Sequence, residues 1–200
     1  MEGASETGII RVATAEKPAI QTQKEQRWKE VENEFSGVTD RLGREIDEGI
    51  LDTVVALNVL GINTIQSCEG HMDHGTGAPY IDVAAKDTKD LETQLHETFG
   101  KEDIRETANK LIGEITRRNL LEQAKLLEHL LSFYQHRQVP YDRRVTIQSF
   151  GLGVNRLESQ GAALQEIVTP EVKQQRLQRY QEEMREFTKY LKETYFSVAQ

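Results

Sequence analysis

Leu177, Tyr180, Met184, Phe187 and Leu191 recur at steps of three and four near the end of the chain, and no other feature restricts the fold as tightly. This spacing is the apolar face of one long helix. Thr169 can cap it, and Pro170 suits the first turn, where a missing N–H costs nothing. A seam of this length needs cover, because exposed it would drive association. Two expectations follow: the helix packs on the chain's own core, or the chain forms a homodimer through it.

The rest of the chain offers material for that cover. Trp28, Val31 and Phe35 lie at helical spacing in a charged segment that starts at about Lys24. Residues 1–23 lack a sustained period and read as a loose arm, with a short extended piece at Ile9 to Val12. A single domain is therefore expected over residues 24–200. A second helix starts after Asp47, whose carboxylate is placed to cap it. Ile50, Val54 and Leu57 form its stripe, Asn58 lies near its end, and Gly61 stops it.

Two short strands flank a polar loop, one at Asn63 to Ser67 and one at Tyr80 to Ala84. Leu91, Leu95 and Phe99 then suggest a short helix. Ile104, Ala108, Leu111 and Ile115 begin a longer one, and Leu120, Ala124, Leu127, Leu131 and Tyr134 continue it out of phase. That mismatch predicts a break near Asn119. Val145 to Ile147 and Val154 to Glu158 form a hairpin around Gly151-Leu152-Gly153. The order implies an α+β fold: a small, largely antiparallel sheet of about four strands, covered by helices and closed by the long C-terminal helix.

Composition narrows the class. The chain has 200 residues, a formal charge of −8 and one cysteine. A lone cysteine excludes an intramolecular disulfide. The excess of acid disfavours general nucleic-acid binding, which depends on neutralising phosphates. No apolar run is long enough to span a membrane, and the first residues do not resemble a signal peptide, so a cytoplasmic location is expected.

Chemistry concentrates between Ser67 and Pro79, where Cys68, Glu69, His71, Asp73 and His74 stand among Gly70, Gly75 and Gly77. Four readings are open. Cys68, His71 and His74 succeed one another at intervals that suit zinc, with Asp73 or water in a fourth position and Glu69 as proton acceptor. Alternatively, Cys68 is a nucleophile activated by His71. A third reading makes the loop a cradle for a small polar ligand, in which Gly70, Gly75 and Gly77 let the backbone approach, Ser67 and His71 add contacts, and Asp82 joins the polar face. In the fourth, Cys68 is a small buried hydrophobe ending a strand. Gln148 and Arg156 can line a pocket if the two strand pairs adjoin. His96, His129 and His136 lie on charged helices and read as solvated.

Ile46-Asp47-Glu48-Gly49-Ile50, the run from Val55 to Ile62, Ser67-Cys68-Glu69-Gly70-His71 and Pro79-Tyr80-Ile81 together resemble a group of uncharacterised bacterial proteins that share a Ser-Cys-Glu-Gly-His motif. The likeness covers about residues 42 to 84, with a looser one over Val145 to Gly161. It implies a shared fold and site but no particular activity. The Ile-Asp-Glu helix start, Asn58 and the Thr64-to-Gly70 segment are also distantly similar to the wybutosine-synthesis tRNA methyltransferase family. Thr64 stands one residue further from Ser67 than in that family, and His71 replaces its arginine. That resemblance implies S-adenosylmethionine binding and a role related to RNA modification. The expectation from the residues themselves is a small-ligand or divalent-metal site, zinc among the candidates, with catalysis left open. The alternative is a non-catalytic interaction or regulatory module that dimerises through the last helix.

Overall fold

The first helix, α1 (Glu16–Ser36), begins well before Lys24. In this computed structural model, which describes residues 16–73, 77–98, 104–162 and 168–197, the helix takes in much of the expected arm. Its early residues are mostly good helix formers without an apolar stripe, and Pro18 falls in the first turn, where it is tolerated. The extended piece expected at Ile9 to Val12 lies outside the described residues.

α2 (Glu48–Val59) follows, with Ile50, Val54 and Leu57 buried as the stripe requires and Gly61 in the left-handed region at φ 78°. Four strands, β1 (Thr64–Cys68), β2 (Tyr80–Val83), β3 (Val145–Ser149) and β4 (Asn155–Ser159), form one antiparallel sheet in the order β1-β2-β4-β3. The two hairpins therefore adjoin through β2 and β4.

Register sorts the side chains into rows. Ser67, Ile81, Leu157 and Ile147 lie side by side, and Ile81 and Leu157 are fully buried beneath the helices. Rows on the opposite face carry Cys68, Tyr80, Glu158 and Thr146, and then Gln66, Asp82, Arg156 and Gln148. The sheet is thus apolar on one side and polar on the other.

α3 (Lys89–Thr98) and α4 (Ile104–Tyr134) run between the hairpins. α4 is one continuous helix of 31 residues, so the break expected at Asn119 does not occur. The phase change has another cause. Ala108 and Ile115 pack with Leu95 of α3 in a small cluster, whereas Leu126, Leu130 and Phe133 join the main core. Asn119 is buried at the junction. Its side chain accepts from the Ala85 N–H (2.8 Å) and donates to the Ile115 carbonyl (3.0 Å).

The stripe expected on the second half of α4 is displaced by one position. Leu120, Leu127 and Leu131 are exposed, while their neighbours are buried. His129 is half-buried against the Tyr190 ring rather than solvated, and burial lowers its basicity.

α5 (Pro170–Ser197) closes the fold. Leu177, Tyr180, Met184, Phe187 and Leu191 are all buried; Met184, Phe187 and Leu191 join α1, α2, α4 and the sheet in the main core. The seam is filled by the chain's own core. No helix among the described residues is long and apolar enough to cross a membrane.

Candidate metal centre

β1 delivers Cys68 directly opposite Tyr80 of β2, and the chain then reverses at Gly70. Gly70 has φ 83°, and a Cβ there would stand 2.6 Å from the Ala78 carbonyl carbon and 2.7 Å from Leu177 Cδ1. Both the backbone angle and the space require glycine. Gly70→Ala is expected to destabilise the protein by about 3 kcal/mol, since it combines left-handed strain with overpacking against backbone. Urea denaturation measures this directly, and a loss under about 1 kcal/mol would contradict such a rigid turn.

The reversal brings Glu69 to His71 back against the start of α2. Asp47 does not cap that helix with its side chain, contrary to its sequence position. Its Oδ2 instead accepts from the Glu69 N–H (3.0 Å) and lies 3.2 Å from His71 Nε2. Glu69 Oε2 in return accepts from the Gly49 N–H (2.9 Å), in the first turn of α2. From α5, Gln181 Nε2 donates to the Glu69 carbonyl (3.0 Å). The start of α2 and α5 thus hold the turn from Glu69 to His71 between them, the rigid support a preorganised site needs.

One carboxylate, one thiol and one imidazole converge as a result. Ligand atoms of Asp47, Cys68 and His71 all lie within 4.8 Å of one another, and all three residues are half-buried. Burial pushes the Cys68 thiol up, the Gly70 N–H opposes this, and the Asp47 carboxylate adds to the rise. Without a metal, the group is therefore a thiol at neutral pH, which weakens it as a free nucleophile.

The other expected residues fall in different places. Glu69 belongs to the site, but its carboxylate is engaged by Gly49. Ser67 lines the adjoining cleft. Asp73 is exposed on the loop, whereas His74 and Gly75 lie outside the described residues. Gly77 approaches α5, where a Cβ would meet Lys173 Cε at 2.9 Å.

Asp82 is buried away from the triad, in a bidentate pair with Arg156 (2.7 and 2.8 Å). That guanidinium is held over the rings of Tyr80 and Phe150, 3.9 and 4.0 Å from their centroids. Asn58 links the end of α2 to β1 by donating to the Val54 carbonyl and to Thr64 Oγ1, both at 2.8 Å.

A cleft of about 490 Å³ opens beside the triad, between β1 and the segment joining α1 to α2. Cys68, His71, Asp47 and Tyr80 all reach it. The Tyr80 hydroxyl oxygen accepts from Gln66 Nε2 (3.0 Å), an arrangement in which its own proton is not used in that bond. Comparison with known protein families, with curated proteins and with solved structures finds no match, so the site's own chemistry carries the functional reading.

Proposed function

We propose that Asp47, Cys68 and His71 hold one divalent metal ion, zinc by preference, and that the protein is a metal-dependent hydrolase acting on a ligand in the adjoining cleft. The convergence of the three ligand atoms within 4.8 Å is the observation that carries this reading. Ligand atoms around a tetrahedral zinc stand roughly 3.5 Å apart, so small side-chain adjustments close the set. Thiolate with imidazole and carboxylate is a zinc donor set, and three protein ligands leave a fourth position open.

A zinc ion so placed supplies a Lewis acid and lowers the pKa of a water. The chain's own residues do the rest. Glu69 locks the loop to α2, Gln181 locks it to α5, and Tyr80 offers a proton to a ligand oxygen. The donor set differs from the one expected within the loop by replacing a loop residue with Asp47.

Zinc affinity, read by competition with a chromogenic chelator, tests the proposal. Reduced wild-type protein should bind about one equivalent, and His71→Ala should bind at least about 100-fold more weakly with its fold intact. Equal affinity in the two proteins would overturn the assignment.

A further inference from the structure

Among the described residues, β1 is an edge strand, flanked by β2 on one side only. In an antiparallel pair, alternate residues turn their N–H and C=O groups away from the partner strand. Outside the β1–β2 ladder, the main chain of residues 64–67 makes no hydrogen bond among the described residues. Such an edge is a template for another strand, and proteins usually protect it with charge, proline or cover. Here the register shifts between Thr64 and Gln66, and Ile65 is 54% exposed beside the unpaired groups.

The cleft runs along this same edge. Its far wall is the segment joining α1 to α2, in which Thr39 and Glu45 form their own isolated bridge. Phe35, Val38 and Ile46 supply apolar surface, while Asp40 and Glu45, apart from the metal cluster, outnumber Arg44 in charge. The groove therefore combines open main-chain groups, apolar contacts and a net negative wall, with the Asp47–Cys68–His71 cluster where β1 ends. These features match recognition of an extended polypeptide by strand addition.

We infer that the cleft binds an extended peptide segment bearing basic side chains, paired along the free edge of β1 with one of its amides carried to the metal cluster. The chemistry rests on the proposed metal site, whereas the strand pairing does not. In the reaction one water adds across the amide: its oxygen joins the carbonyl carbon, the C–N bond breaks, and the nitrogen leaves as an amine after taking up a proton. The products are a carboxylate and an amine, and no oxidant or further reactant is needed.

The test uses a capped hexapeptide of alternating lysine and valine, its counterpart with glutamate for lysine, and the lysine peptide N-methylated at alternate residues in each of the two registers. Binding is measured by calorimetry on zinc-loaded wild type and on zinc-free His71→Ala protein. The lysine peptide should bind both proteins and slow amide exchange in residues 64–68. The glutamate peptide and at least one N-methylated peptide should bind at least tenfold more weakly. Failure of the lysine peptide to bind either protein, or equal binding of all four peptides, overturns the inference. Binding without zinc uptake would sink the metal reading alone. Zinc uptake without peptide binding would sink only the substrate class.

Discussion

Phe187→Glu is expected to prevent folding rather than to release a monomer from a dimer. Phe187 is fully buried, edge-on to Phe133 at 5.2 Å and stacked near Tyr190 at 6.2 Å. A carboxylate there would lose its hydration and gain no partner, a cost of several kcal/mol on top of the lost packing. Truncation alone, as Phe187→Ala, should cost about 3–5 kcal/mol. Since domains of this size are stable by only about 5–15 kcal/mol, the charged variant should show little native circular dichroism. A folded variant with a lower mass by light scattering would contradict the assignment of this seam to the chain's own core.

Asp82→Ala should produce the second large loss, about 3–5 kcal/mol, because it strands a charge in a nearly dry place. The Arg156 side chain is only 12% exposed and that of Asp82 4%, and the pair is bidentate. The Tyr80 and Phe150 rings flank the guanidinium, so moving the charge to water would disturb that packing. Asp82→Asn retains one acceptor and should lose less. The double variant Asp82→Ala/Arg156→Met removes the charge as well as its partner and should recover much of the loss, giving a strong coupling in a double-mutant cycle. Chemical denaturation of wild type, Asp82→Ala, Arg156→Met and the double variant reads this. Additive losses would show that the pair contributes little beyond its packing.

These two sites also show what could be read from the residues. The α5 seam was legible because its steps of three and four are unambiguous, and its residues pack on the chain's own core. The strands were legible from alternation, and the adjoining of their two pairs brought Arg156 to Asp82. α4 was harder for a plain reason. Leu120, Leu127 and Leu131 make as good a stripe as Leu126, Leu130 and Phe133, and only the neighbours decide which is buried. Asn119 looked like a break because the stripe changes phase there, yet its amide completes a contact to Ala85.

In the candidate site, Cys68 and His71 announced themselves by type and spacing. Asp47 did not. An aspartate before a helix reads as a cap, and its turn toward Glu69 and His71 depends on the loop folding back through Gly70. That long-range contact leaves no local periodicity or spacing to detect.

The central claim is that Asp47, Cys68 and His71 form one metal centre, and cobalt(II) substitution tests it most directly. Titrated into reduced wild type, about one equivalent should give the intense visible bands of a tetrahedral ion together with a sulfur-to-cobalt charge-transfer band. Cys68→Ser should lose the charge-transfer band, and Asp47→Ala should bind cobalt more weakly while keeping it. A wild-type spectrum indistinguishable from that of the hydrated ion, or a charge-transfer band that survives in Cys68→Ser, would contradict the account.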